Sequence, residues 1–407
     1  MVETNFKQTE IGLIPEDWQV KSLGSLLLKT PDYGINAAAV DFNYNLPTYI
    51  RITDISDSGK FLDSNKCSVD NISSYKYFLE ENDLVFARTG ASVGKSYHYN
   101  SNDGKLVFAG FLIRVKANSN LLNSKFLFFN TQSLRYWDWV ASNSMRSGQP
   151  GLNSNEFKSL QLAIPPSITE QQAIASALTD ADAWIEGLEK LIAKKRLLKQ
   201  GAMQQLLTPK EDWEVKKLGE VADIIMGQSP LSQFYNAKGI GLPLIQGNAD
   251  ILNRKTIIRN YTSNITKNGK QGDIIMSVRA PVGEIANASF DCCLGRGVCA
   301  IRYKNKFLYH FLIFKEGNWS KLSTGSTFDS ITSEQIRQLE ILLPNSNEQI
   351  LIAKILSDMD KEIDTIEHIL QKAQQIKQGM MQQLLTGKVR LVAANKTANY
   401  KEEVIAS

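Results

Sequence analysis

The sequence is poor in the residues that most often carry chemistry. Its three histidines, His98, His310 and His368, are too few and too scattered for a metal centre, and it contains no His-Glu-x-x-His. Four cysteines, Cys67, Cys292, Cys293 and Cys299, match no zinc spacing, and two of them are adjacent. This excludes a small disulfide scaffold and reads as reduced thiols in a cytoplasmic protein. No apolar run approaches the roughly 18 residues of a membrane span, so no membrane partner is expected. Met1-Val2-Glu3-Thr4-Asn5 lacks the basic-then-apolar opening of a signal peptide. Net charge is also small: 46 basic against 42 acidic residues leave +4, which permits a nucleic-acid partner without demanding one.

What is present is a globular chain built twice. Hydrophobic content of 43% and charged content of 22% are ordinary for a folded protein, and 407 residues predict two or three domains at about 150 residues each. Glu16-Asp17-Trp18-Gln19-Val20-Lys21-Ser22-Leu23-Gly24 returns as Glu211-Asp212-Trp213-Glu214-Val215-Lys216-Lys217-Leu218-Gly219. Lys199-Gln200-Gly201-Ala202-Met203-Gln204-Gln205-Leu206-Leu207-Thr208 returns at Lys377–Thr386 with one substitution, Ala202 to Met380. Between these anchors, Asp83–Arg88 resembles Asp273–Arg279, and Phe111–Arg114 resembles Cys299–Arg302, whereas 25–82 and 220–272 hardly match. Trp18 and Trp213 read as core anchors, and Trp137 and Trp139 as packed rather than stacked on a base.

Each half opens as a mixed region. Apolar runs at 83–87, 107–115 and 274–278 between Gly, Asn, Asp and Ser clusters predict short strands, and helices are expected near 124–140 and 307–322. Each half then closes with a long helix. Ser167 with Glu170, and Asn345 with Glu348, have capping-box spacing. Ile174, Leu178, Ala181, Ile185, Leu188 and Ile192 follow a 4-3-4-3-4 spacing, repeated by Ile352, Leu356, Met359, Ile363, Ile366 and Leu370. That is the seam of a coiled coil, weakening at Lys195 and Ala373, and Thr208-Pro209 and Gly387 stop the helices. Charge sets the direction of pairing. Residues 170–189 hold five acids and no Lys or Arg, 190–208 hold five bases and no acid, and 348–367 hold six acids against two bases. A parallel pair would set acid against acid, so an antiparallel pair is expected; the plain alternative is complementarity to each helix dipole.

Catalytic motifs are missing. Gly90-Ala91-Ser92-Val93-Gly94-Lys95-Ser96 has three residues between its glycines where a phosphate-cradling loop needs four, and the sister loop carries Glu284 in place of the lysine. No Ser-His-Asp or Cys-His arrangement can be argued, and the chain reads as a binder.

Arg88–Lys95, Ser277–Gly283, Ile164-Pro165-Pro166 followed by Glu170-Gln171-Gln172, and the twice-used Lys-Gln-Gly-x-Met-Gln-Gln-Leu-Leu-Thr together resemble the specificity subunit of type I restriction-modification enzymes, over about residues 10–388. The resemblance implies an α+β fold of two similar mixed α/β target recognition domains. Two long helices would separate them as an antiparallel coiled coil, giving a pseudo-two-fold internal repeat. Recognition domains would fall at 1–166 and 209–344, spacer helices at 167–208 and 345–387, and a tail at 388–407 stays unassigned. It implies a non-catalytic subunit that reads a bipartite, asymmetric site in double-stranded DNA, one domain per half-site. Two methyltransferase subunits would dock on the helices, joined by restriction/translocase subunits. Those partners, not this chain, would carry S-adenosylmethionine, ATP and Mg2+. A helix of about 58 Å, at 1.5 Å per residue, would span roughly 17 base pairs.

On this reading the DNA contacts are Arg88, Thr89, Ser92 and Lys95 in the loop after one strand, with Arg279 as the counterpart of Arg88. A second paired set of loops adds Arg146 and Gln149, and Ser326 and Thr327. The plain alternative for each is a solvated turn. Gly201, Gln204, Gln205, Gly379, Gln382 and Gln383 are candidates for partner docking, the glycines permitting close backbone approach. Two rival readings are a cytoplasmic coiled-coil scaffold with peptide-binding domains and an NTPase built on 90–96.

Overall fold

In both halves the fold grows from one strand that is buried on both faces. Asp83–Ala87 alternates its side chains between two cores. Leu84 and Phe86 pack with the helices, while Val85 and Ala87 face Ile50, Leu106 and Phe108. Ile274–Ser277 repeats the device, with Ile274 and Met276 on one side and Ile275 on the other. The computed structural model describes residues 5–316 and 330–391. Contacts divide it into two units, Met1–Gly187 with Leu370–Ser407, and Leu188–Ile369.

In the first unit, Asp83–Ala87 pairs antiparallel with Leu112–Lys116 and Ser96–His98, and Asp32–Tyr33 lines the far edge of Leu112–Lys116. A second sheet joins Ala39–Asp41, Cys67–Val69, Thr48–Ile50 and Leu106–Phe108. The apolar run 107–115 is therefore two strands in different sheets, parted by a turn in which the Leu112 N–H donates to Ala109 O. Helices α1 (Ser124–Asn130), α2 (Leu134–Asn143) and α3 (Ser154–Ser159) cover the first sheet. The single helix expected at 124–140 is broken because Ser133 caps α2: its hydroxyl accepts from the Tyr136 N–H and donates to Asn130 O.

In the second unit, Asp223–Met226, Val298–Arg302, Ile274–Ser277 and Ile285–Asn287 form the matching sheet, extended by Lys255–Thr256 and Ile251–Leu252. A second sheet contains Leu242–Ile245 and Cys292–Leu294. Helix α4 (Ile168–Leu207) lies before this region and α5 (Leu218–Val221) opens it; α6 (Phe307–Lys315) and α7 (Ser333–Arg337) follow the sheets. The helix expected to reach 322 is described only to Lys315. Helix α8 (Ser346–Leu384) closes the repeat.

The frame kept through duplication includes a buried aspartate at the start of the doubly buried strand, paired with an arginine. Arg114 reaches Asp32 through Nε (3.1 Å) and Nη2 (2.6 Å), and Asp83 through Nη1 (3.3 Å). Arg302 grips Asp273 through Nε (2.9 Å) and Nη2 (2.7 Å) from the strand position that Lys116, 3.5 Å from Asp83, holds in the first unit. Strand pairing thus puts Arg302 two residues away from the place of Arg114, which is taken by Ala300. Trp18 and Trp213 are buried as expected, and all four cysteines are free and buried. His98 bonds Ser124 and His310 bonds Ser357, and burial pulls their pKa values down to about 4 and about 3, so both are neutral structural groups.

The long helices pair antiparallel within each unit. In the second, Lys195 meets Glu362 (2.6 Å), Arg196 meets Glu367 (2.6 Å) and Lys199 meets Asp360, while Ile192, Ile352, Leu356, Ile363 and Ile366 are buried and Leu188 and Met359 half-buried. In the first, Lys377 meets Asp182 (2.5 Å), and Ile174 and Leu178 are buried in the core that contains Leu384. Ala181, Ile185 and Leu370 are half-buried there. Ala373, where the pattern weakens, is 1% exposed, so its small side chain still seals the contact.

One further expectation needs correction. The helix-start glutamates do not close capping boxes. Ser167 and Asn345 accept from the N–H groups of Thr169 and Glu348, but Glu170 is bound by Arg390 (2.5 and 2.8 Å) and Glu348 by Lys210 (2.6 Å). A carboxylate offered a guanidinium or ammonium forms the stronger, charge-assisted bond. Arg390 also forks onto Asp17 and lies 5.7 Å from the Trp18 ring, so the start of the unassigned 388–407 segment is part of the first unit.

Removing Arg114 leaves the 2% exposed Asp83 with only the more distant Lys116 (3.5 Å) and leaves Asp32 with Lys29. Arg114→Ala should lower the unfolding free energy by about 3–5 kcal/mol. Arg302→Ala should cost clearly less, since that side chain is 35% exposed against 6%. Urea unfolding of the purified variants checks the order.

Candidate nucleic-acid interface

The strand ends deliver two neighbouring loops to one place in the first unit. Thr89 bridges Gly151, the Gly90 N–H donates to Pro150 O (2.9 Å), and the Leu152 N–H donates to Arg88 O (2.8 Å). The two candidate sets Arg88, Thr89, Ser92 and Lys95, and Arg146 and Gln149, are thereby brought together. Gly90 has φ +72°, and a side chain there would strike the Gln149 amide.

Most of these cations already have partners. The Arg88 guanidinium donates to Gly110 O (3.1 Å) and sits 5.1 and 5.8 Å from the rings of Tyr33 and Phe111, both exposed. Lys95 pairs with Asp57 at 2.7 Å and holds its carboxyl below the ordinary range. Arg146 pairs with Glu156. Thr89 and Ser92 are half-exposed and Gln149 is exposed.

The same loop answers the nucleotide reading. The N–H groups of Gly90, Val93, Gly94 and Lys95 donate to Pro150, Gly90, Ala87 and Ser92 carbonyls, and the loop leads into strand Ser96–His98 rather than a helix. A phosphate cradle needs several converging free N–H groups at a helix start, and four of this loop's N–H groups are already committed to carbonyls.

In the second unit Arg279 is exposed, but it is not the counterpart of Arg88. Leu112 pairs with Ala87 and Val298 with Ser277; Arg88 O accepts from Leu152 as Val278 O accepts from Ile331. Arg88 thus matches buried Val278, and Arg279 matches Thr89. One residue of offset sends a side chain to the opposite face of an extended chain, which is why Arg279 faces solvent. It lines a concavity of about 540 Å³ with Arg259, Arg296, Asn248 and Gln246. Among the described residues none of the three arginines has a carboxylate partner. Arg259 and Arg296 escaped the sequence reading because they lie on loops remote in sequence; the glycines flanking Arg296 were the available signal. Ser326 and Thr327 lie outside the described residues.

On the long helices, Gly201, Gln204 and Gln205, and Gln382 and Gln383, are exposed, and Gly379 is half-exposed. A Cβ at either glycine would meet nothing within 4 Å, so no close backbone approach occurs there within this chain. No group of three metal-ligating residues and no helix long and apolar enough to cross a membrane occurs among the described residues.

The comparisons with known proteins agree with this arrangement. A family model described as the type I restriction modification DNA specificity domain matches residues 15–195 and again 210–378. The putative type I restriction enzyme MjaX specificity subunit of Methanocaldococcus jannaschii is 32% identical, the match covering 96% of this chain and 97% of that one. The MjaVIII specificity subunit of the same organism is 23% identical over 97% and 98% of the two chains. The type I restriction-modification S subunit from M. genitalium shares the fold, with a TM-score of 0.64 at 15% identity, covering 94% and 97%. Two matched copies and a full-length relative settle the matter: the chain belongs to the type I restriction modification DNA specificity family and is a DNA-recognition subunit, not a catalyst, of such a system.

Proposed function

We propose that the chain reads a split, asymmetric DNA site with one recognition domain per half-site, at 1–166 and 209–344. The helices at 167–208 and 345–387 set the spacing and carry two methyltransferase subunits, to which restriction/translocase subunits are added. One observation carries the reading: a single frame, with its doubly buried strand and paired helices, is used twice, yet the loops at equivalent strand ends differ in chemistry. One presents Arg88 between Tyr33 and Phe111; the other presents three unpaired arginines. Equal frames with unequal surfaces suit unequal half-sites. With a net charge of only +4, partner subunits supply much of the phosphate neutralisation.

The docking reading draws on repetition. Leu198 and Ile376 occupy equivalent positions in α4 and α8, and both are exposed beside the exposed glutamines of the repeated motif. An apolar side chain repeated on each helix, flanked by amides, suits one copy of the same partner on each.

Inserting four residues, about one helical turn, at equivalent points of α4 and α8 should change the gap between half-sites and leave both half-sites intact. Mapping methylated positions in DNA from cells carrying the complete system checks this, and altered half-sites would overturn the ruler role. Leu198→Glu or Ile376→Glu alone should reduce the methyltransferase subunits recovered with the chain from two to one, read by native mass spectrometry.

A further inference from the structure

The two domains differ most sharply in where they keep free positive charge. Backbone pairing aligns them residue by residue: the Gly34 N–H donates to Leu112 O as Gly227 does to Val298 O, and Ile35 donates to Phe108 O as Gln228 does to Leu294 O. Gly110 therefore matches Arg296, and Phe111 matches Gly297. Leu62 donates to Asp54 O as Ile257 does to Asp250 O, which places Ser64 opposite Arg259, two residues further on. With Thr89 opposite Arg279, three arginines of the second domain stand where the first has Ser, Thr and Gly.

The three arginines reach one concavity from three loops. Gly297 makes this possible: a Cβ there would lie 2.0 Å from Gln246 O, so only glycine lets the turn sit against that strand and project Arg296 outward. The one carboxylate in the lining, Asp250, is 7% exposed and accepts from the Gln246 N–H at 2.7 Å, so it is committed to its own turn. Arg259 donates only to Ala249 O, at 3.3 Å. The site is thus a hollow with three unneutralised guanidiniums and amide side chains around it.

We propose that this hollow clamps the sugar-phosphate backbone of the DNA at the second half-site, and that the first domain has no equivalent clamp. The inference rests on the DNA-reading function above. Shape selects backbone over base edge. Base edges lie recessed in a groove and are read by protruding groups, whereas phosphates stand out from the duplex and enter hollows. A volume of about 540 Å³ exceeds one phosphate and accommodates a short run of backbone. Three guanidiniums match its charge with bidentate geometry.

The test uses the chain assembled with its methyltransferase subunits, and two duplexes, one carrying the site found by methylation mapping and one scrambled, over a salt series. Arg259→Ala, Arg279→Ala and Arg296→Ala should each weaken both duplexes by the same factor. Each should also lower the slope of log affinity against log salt by about 0.9. Arg296→Lys should keep the slope, and Ser64→Ala in the first domain should leave it unchanged. Unaltered slopes in all three alanine variants, or loss on the specific duplex alone with the slope intact, overturn the clamp while leaving DNA reading in place. If the wild-type complex fails to tell the duplexes apart, the DNA-reading function falls and the clamp falls with it.

Discussion

The long helices can associate in one sense only. Bases fill the second half of α4 and acids the first half of α8, and the observed pairs Lys195–Glu362, Arg196–Glu367 and Lys199–Asp360 join those two stretches. Exposed pairs of this kind contribute only about 0.2–1 kcal/mol each, and the affinity of one helix for the other comes from Ile192, Leu356, Ile363 and their neighbours. The charges act as a rejection filter. A parallel arrangement would bury the same apolar seam but set acid on acid. Every later feature, including the delivery of helix starts to Arg390 and Lys210, requires the antiparallel choice.

Duplication has kept what packs and released what projects. The doubly buried strand, the buried aspartate at its start and the tryptophan at the start of each repeat hold the sheets and helices together, and each is costly to lose. Loop residues at the strand ends are not under that constraint. Thr89 and Arg279, or Gly110 and Arg296, can occupy the same backbone position because their side chains leave the core. Binding chemistry diverges at the rim while the frame stays recognisable, which explains how a family of readers can share a fold at 15% identity.

Much of this was legible in the sequence, and what was not has physical reasons. The helices, their direction and their seam follow from periodicity and charge, which are local signals. The seam's persistence at Ala373 was missed because a small residue looks like weakness until its neighbours are seen. The break before α2 hinged on one serine whose hydroxyl serves both helix ends. Arg279 was matched to Arg88 because both follow an apolar run; a one-residue shift, visible only through strand pairing, sends them to opposite faces. Glu170 and Glu348 had the right spacing for caps, but no local rule reveals a cation arriving from far along the chain. The hollow of Arg259, Arg279 and Arg296 was invisible for the same reason.

The Arg390 clamp also bears on how the molecule comes to be folded. Asp17, Glu170, Ile174 and Leu178 are completed by Leu384, Leu385 and Arg390. A polypeptide leaves the ribosome from its N-terminus, so the unit begun first is the one finished last. Until those late residues emerge, a buried carboxylate lacks its counter-charge and an apolar helix face stays wet. The other unit, continuous from Leu188 to Ile369, can close in the meantime, and the order of synthesis is the reverse of the order of completion.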